Sequence, residues 1–95
     1  MGVKAMHEGG CLCGAVRFKA SRPPLNVRIC HCRLCQKAMA APFFARALFE
    51  INAIEIAGPI AKFASSGHLD RAYCQKCGTR IGAFRTNGTA AGLAL

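Results

Sequence analysis

The sequence has no tryptophan, one tyrosine and only four acidic residues among 95, against thirteen lysines and arginines. The formal charge of +9 suits either an acidic small molecule or a polyanion, and charge alone does not choose between them. No run of five basic residues occurs, however, and dispersed basic residues are typical of a solvated surface. The sequence also lacks the aromatic platform on which single-stranded nucleic acids stack, so we do not expect a nucleic acid partner.

Targeting signals are absent as well. No stretch approaches the ~18 apolar residues of a membrane span, and residues 1–6 lack the apolar core of a secretory signal. Met6 also breaks the N-myristoylation pattern, which requires serine or threonine at that position. We therefore expect a cytoplasmic protein without a membrane partner, in which cysteine pairs bind metal more often than they form disulfides.

The chain length predicts one small domain, residues 1–95, with no second core. A chain this short buries a modest fraction of its surface, and many of its apolar residues are alanines. Bound metal would supply stability that such a core lacks.

All seven cysteines lie in short clusters. They are the pairs Cys11/Cys13 and Cys74/Cys77 and the triplet Cys30, Cys32 and Cys35. Clustered thiolates bind zinc or a similar thiophilic metal, four in a closed structural site and three in a catalytic site that keeps one position open. The cysteines therefore divide into one site of each kind.

The two pairs are predicted to hold the structural metal. Cys11 and Cys13 would lie at i and i+2 of an extended strand, so both thiols would point to one face. Cys74-x-x-Cys77 followed by Gly78 is typical of a metal knuckle. The alternatives are a redox dithiol or buried apolar cysteines, but a redox motif would open a helix, whereas a glycine and a strand follow here. The metal would tie the first strand to the penultimate hairpin.

For the triplet, the alternative is a second structural zinc whose fourth ligand is His7 or His68. Strand alternation turns His31 away from the neighbouring cysteines, so we do not expect it to be a ligand. Geometry favours an open site with three thiolates.

Strand patterns dominate the rest of the chain, and the expected fold is mostly β. The predicted strands are residues 11–19, 26–30, 43–48, 54–56, 60–63, 81–85 and 90–95, with a loop at 65–68 and a helical turn at 36–40 that ends at Pro42. Asn87-Gly88 is a strong hairpin signal. The chain stops inside an apolar run with Leu93 and Leu95 on one strand face, so we expect an unprotected edge and self-association through this C-terminal strand.

Several motifs occur together in the order of a known family. They are Gly9-Gly10-Cys11-x-Cys13-Gly14-x-x-Arg17, Cys30-His31-Cys32-x-x-Cys35, Ser65-Ser66-Gly67, Arg71 and Cys74-x-x-Cys77-Gly78-Thr79. With them the sequence resembles the glutathione-dependent formaldehyde-activating enzyme family, which also contains centromere protein V. Family domains continue for some tens of residues beyond the position of Leu95, so we expect a domain shortened at its C-terminus.

The resemblance implies a small antiparallel β-tent fold with two zinc ions. It implies that the structural zinc is held by Cys11, Cys13, Cys74 and Cys77, and the catalytic zinc by Cys30, Cys32 and Cys35. The implied activity is that of a carbon–sulfur lyase, whose reverse reaction joins formaldehyde to glutathione as S-hydroxymethylglutathione. Its partners would be a small-molecule thiol and an aldehyde. Candidate partners for the glutathione carboxylates are Arg33, Lys37, Arg46 and Arg71, each equally compatible with a solvated surface charge.

A second function agrees with the basic composition. The chain could be a non-catalytic zinc-binding module that interacts with nucleic acid or protein, as the chromatin association of centromere protein V suggests. Dispersed basic residues argue against it.

Metal content tests the division of the cysteines. We expect two zinc ions per chain in protein purified without chelator, measured by elemental analysis. One ion per chain, or iron in its place, would contradict the four-plus-three assignment.

Overall fold

The computed structural model describes residues 7–94, which form nine strands and one α-helix. The strands are β1 (His7–Gly10), β2 (Arg17–Ala20), β3 (Asn26–Cys30), β4 (Phe44–Glu50), β5 (Ile54–Ala57), β6 (Ile60–Ser66), β7 (Leu69–Cys74), β8 (Arg80–Arg85) and β9 (Ala90–Ala94). The helix α1 spans Arg33–Met39, and a single 3-10 turn spans Ile51–Ala53.

The strands form two antiparallel sheets. A three-stranded sheet has the order β1-β2-β5, and a six-stranded sheet has the order β3-β4-β9-β8-β7-β6. Every recorded pairing in both sheets is antiparallel. The predicted mostly-β antiparallel class is confirmed.

The main core joins the two sheets. Val16 and Ala20, beside and within β2, are fully buried in the same cluster as Phe49 of β4 and Leu93 of β9. Alanines of the six-stranded sheet fill the space between the larger side chains. The sheets can therefore approach closely although the chain has few bulky residues.

The opposite face of the six-stranded sheet carries a smaller core under α1. There Cys35 of α1 packs on Phe44 of β4 and Ala83 of β8. Because side chains alternate along a strand, Phe44, Arg46 and Leu48 share this face, while Phe49 points into the main core. The helix covers only one end of the face and leaves the remainder open.

Helix α1 begins three residues earlier than the predicted helical turn. Cys32 is its N-cap, and the Cys32 thiol accepts a hydrogen bond of 3.3 Å from the Cys35 amide. The helix ends at Ala40, whose backbone is left-handed with φ of 52°, before Pro42 is reached. Arg80 of β8 donates to the Ala38 carbonyl at 3.0 Å and fixes this end of the helix.

Most predicted strands are found within a few residues of their expected bounds. β3 has the expected bounds, and the hairpin at Asn87-Gly88 joins β8 to β9, with Gly88 at a positive φ of 74°. β6 runs through residues expected to form a loop and leaves only Gly67 and His68 in the turn.

The expected free edge at the C-terminal strand is wrong for the residues that the structure describes. β9 lies inside the sheet, paired with β4 on one side and β8 on the other. Leu93 is 1% exposed in the main core, and Leu95 lies outside the described residues. The self-association predicted through this edge therefore loses its structural basis. Within residues 7–94, no helix is long and apolar enough to cross a membrane.

Gly58 lies in the connection between β5 and β6, which belong to different sheets, and a side chain at this position would not fit. Its φ is +117°, and an added Cβ would overlap the carbonyl of Ala15 in the loop that carries two of the cysteines. We expect Gly58→Ala to lower the melting temperature of the metal-loaded protein by roughly 8 °C or more, because backbone strain and overpacking each cost about 1–3 kcal/mol.

The control is Gly67→Ala in the β6–β7 turn, where an added Cβ would meet no atom within 4 Å. Scanning fluorimetry should place this variant near the wild type. Equal losses in both variants would show that the contact with Ala15 does not matter.

Candidate metal centres and the adjoining cavity

Two loops bring four cysteines together at the junction of the two sheets. Cys11 and Cys13 lie in the turn between β1 and β2, Cys74 ends β7, and Cys77 lies in the turn before β8. Their sulfur atoms all lie within 4.8 Å of one another. The predicted strand across residues 11–16 is wrong, because Gly14 has a φ of 82° and the Cys11 amide donates to the Val16 carbonyl at 3.0 Å. The turn, and not the alternation of side chains along a strand, therefore brings the two thiols together.

The spacing of these sulfurs suits zinc. The Sγ atoms of Cys11 and Cys13 are 3.5 Å apart, and those of Cys13 and Cys74 are 3.8 Å apart. Tetrahedral coordination with Zn–S bonds of about 2.3 Å requires sulfurs about 3.8 Å apart. The amides of Val16 and Lys76 donate to the thiols of Cys11 and Cys74 at 3.2 and 3.3 Å, and the contact with Val16 lowers the pKa of Cys11.

Thr79 links the two cysteine loops, although in the sequence it stands out only as the last residue of a family motif. Its hydroxyl contacts the Cys77 sulfur at 3.1 Å and accepts a hydrogen bond of 3.1 Å from the Leu12 amide. The hydroxyl contact is the main cause that lowers the pKa of Cys77 to about 5. A thiol that ionises this easily binds a metal at neutral pH with little competition from protons.

The second cluster lies where β3 passes into α1. Cys30 ends β3, Cys32 caps the helix and Cys35 occupies its first turn, and the three sulfurs lie within 4.8 Å of one another. Among residues 7–94, no histidine, aspartate, glutamate or further cysteine joins this triplet. His31 instead packs near Phe43, with ring centroids 5.9 Å apart. The triplet thus has the composition of a metal site with one open position.

The three thiols have different environments. Cys32 is exposed, and the amide of Cys35 is the main cause that lowers the pKa of Cys32 to about 7. Burial raises the pKa of Cys35 to about 11, although Arg71 opposes this rise. Arg71 already lies beside the buried thiol, so the thiol needs the further positive charge of a bound metal ion to ionise near neutral pH.

Arg71 of β7 is the buried cation beside the triplet. Only 3% of the residue is exposed, and its Nη2 donates to the Cys35 sulfur at 3.4 Å. Its guanidinium lies 5.8 Å from the centre of the Phe44 ring. Its Nε has no acceptor among the described residues. Arg71 therefore offsets the charge of a thiolate, while its buried Nε is left without a hydrogen-bond partner within residues 7–94.

A cavity of about 310 Å³ opens beside the triplet on the same sheet face. Three arginines line it, Arg46, Arg71 and Arg85, and no acidic residue does. Of the four cations proposed from the sequence, Arg46 and Arg71 line the cavity, while Arg33 and Lys37 do not. Arg85 was missed, because nothing local in the sequence shows that β8 lies near the triplet.

A sequence model of the glutathione-dependent formaldehyde-activating enzyme family matches residues 6–94. The chain belongs to this family. The predicted family resemblance is therefore confirmed, and the two cysteine clusters are groups in which this family member could bind metal ions.

Two individual proteins extend the comparison. An uncharacterized lyase of Schizosaccharomyces pombe is 33% identical over 82 residues, which cover 86% of this family member and 60% of the relative. The chain thus spans about 60% of the length of this curated relative. A solved structure of a Rhodobacter sphaeroides protein has a TM-score of 0.74 at 18% identity, covering 93% of this chain and 84% of the other, which shows a shared fold.

The two clusters predict different consequences of single substitutions in this family member. Cys74→Ser should prevent folding, because it removes one of four ligands that join loops distant in the sequence. Cys32→Ser should leave a folded protein with about one zinc ion per chain, since the triplet joins only the adjacent β3 and α1.

Circular dichroism and elemental analysis of both variants provide the measurements. If both variants unfold alike, the triplet is as structural as the four-thiol cluster and is not a separate open site.

Proposed function

We propose that the protein is a zinc-dependent carbon–sulfur lyase that acts on a thiol–aldehyde adduct such as S-hydroxymethylglutathione. The observation that carries the proposal is the triplet of thiols with no fourth ligand group among the described residues, beside a cavity. A structural cluster would have its four ligands from the chain, as the other cysteine cluster does.

Zinc fits the triplet because its donor set consists of soft thiols close enough to share one ion. A zinc ion held by Cys30, Cys32 and Cys35 would supply a position at which the substrate thiol loses its proton and becomes nucleophilic. The four-thiol cluster would hold the second ion and have a purely structural role.

The proposed reaction requires neither an oxidant nor a reductant. In the synthetic direction, the substrate sulfur bonds to the aldehyde carbon and the carbon–oxygen π bond breaks. The oxygen then gains the proton that the thiol lost. The lyase direction reverses these steps, so that the hydroxyl proton leaves and the carbon–sulfur bond breaks.

The chain's own residues would orient and stabilise the reacting groups. Arg71 neutralises part of the charge of Cys35 and lines the cavity, so its positive charge would stabilise the oxygen on which negative charge develops. Leu48 and Leu69 supply apolar wall to the cavity, which strengthens these charge interactions by limiting water.

Catalysis can be measured even though formaldehyde and glutathione also react without an enzyme. We expect the zinc-loaded protein to accelerate exchange between free formaldehyde and S-hydroxymethylglutathione, measured at equilibrium by NMR exchange spectroscopy. Cys32→Ser should reduce the exchange rate to the spontaneous value and lower the zinc content to about one ion per chain.

The matched control is Lys37→Gln, an exposed position of the same helix that does not line the cavity. It should keep both zinc ions and the full exchange rate. A wild-type protein with two zinc ions and no rate enhancement would refute the lyase and favour the non-catalytic zinc module.

A further inference from the structure

We propose that Arg46 and Arg85 bind a carboxylate of the thiol substrate and make the cavity selective for acidic thiols. This inference rests on the proposed function, because it assumes that the reacting thiol enters at the cysteine triplet. It assigns the specificity of the site to two side chains that form no hydrogen bond with the three thiols among residues 7–94.

The first argument is the imbalance of charge in the cavity wall. The chain's four acidic residues, Glu8, Glu50, Glu55 and Asp70, all lie outside the lining. Across residues 7–94, a salt bridge joins Arg22 to Glu50, and none of the three arginines that line the cavity forms a salt bridge with a carboxylate. Cations in a cavity wall that contains no carboxylate attract an anionic ligand.

The second argument is the distance between these arginines and the thiols. Arg46 follows Phe44 by two residues in β4, and Arg85 follows Ala83 by two residues in β8. Phe44 and Ala83 both pack with Cys35, so each arginine begins about 7 Å along its own strand from a residue in contact with the triplet. Arg46 pairs with Ala94, whereas Arg85 follows Phe84, which pairs with Ala91, so the two arginines line the cavity at different levels of the sheet. A ligand with its sulfur at the triplet would therefore present a group several bonds away to these side chains.

The third argument is that neighbouring residues hold the Arg46 side chain on the cavity face of the sheet. Its side chain lies across β9 at Gly92, where an added Cβ would be 2.8 Å from the Arg46 Cδ. Its Nη1 donates to Asn26 at 3.4 Å, so the guanidinium is also held from the side of β3. Glycine at position 92 lets Arg46 lie across the strand on the cavity face.

Arg71 has a different role in this arrangement. It is buried and already donates to Cys35, so it acts at the reacting end of the cavity. Arg46 is partly buried and Arg85 is exposed, which suits residues that receive an incoming charged group. A guanidinium presents parallel donors that match the two oxygens of a carboxylate. The cavity, at about 310 Å³, has room for a small molecule and not for a nucleic acid strand.

Substrate pairs that differ only in charge test the inference. We expect glutathione to react with a lower KM than its diethyl ester, and 3-mercaptopropionate with a lower KM than its methyl ester. Arg46→Gln and Arg85→Gln should each raise the KM for the acids about tenfold and leave the ester kinetics unchanged.

Arg28→Gln is the matched control. Arg28 is exposed on β3 directly opposite Arg46 and carries the same charge, but it does not line the cavity. It should leave the KM for the acids near the wild-type value. An equal effect of Arg28→Gln, or equal KM values for acids and esters, would overturn the inference.

Gly92→Ala provides a variant that keeps every charge. It should displace Arg46 and raise the KM for the acids as Arg46→Gln does, with a thermal melt to confirm the fold. If it does not fold, Arg46→Gln decides alone.

A binding experiment separates the two proposals. S-methylglutathione, which cannot react, should bind the zinc-loaded protein in an NMR titration and bind about tenfold more weakly to Arg46→Gln. This result without catalysis would refute the lyase and support the carboxylate site. Catalysis of acids and esters alike, with no effect of Arg46→Gln on binding, would support the lyase and refute the carboxylate site.

Discussion

The architecture depends on the contact between two cysteine-bearing turns. One lies between β1 and β2 and the other between β7 and β8, so a single cluster of four sulfurs joins the small sheet to the large one. Val16 leaves the first turn directly into the main core, and its amide donates to Cys11. A metal ion bound by this cluster would therefore reinforce the packing of the two sheets, as expected when a small core needs further stabilisation.

This junction also determines where the second cluster lies. The main core uses one face of the six-stranded sheet and leaves the opposite face to α1 alone. Because α1 has only seven residues, it covers the thiol triplet's side of that face and no more. The cavity is thus the uncovered part of the sheet face that lies opposite the main core. Its walls come from strands distant in sequence, as is common for sites built on a rigid scaffold.

Local sequence chemistry predicted the parts of the molecule that are locally determined. β3 leads directly into the thiol triplet, and Asn87-Gly88 forms its hairpin because both features depend on adjacent residues. The turn at residues 11–16 was predicted as the start of a strand because apolar and basic residues alternate after Gly14, but Gly14 bends the backbone. The position of β9 inside the sheet and of Arg85 in the cavity wall depends on pairing between strands that are distant in sequence. The alternation of apolar and polar residues within one strand does not reveal that pairing.

Electrostatics connects the thiol triplet with the cations around it. Three thiolates holding one divalent zinc ion would carry a net charge of −1, which is costly beside a partly apolar cavity. Arg71 compensates this charge at close range through Cys35, while Arg46 and Arg85 remain as two further positive charges in the wall. A neutral thiol would leave these two charges balanced only by solvent. A substrate that brings both a thiolate and a carboxylate brings two negative charges into the same volume, so the wall of the cavity is electrostatically matched to an acidic thiol.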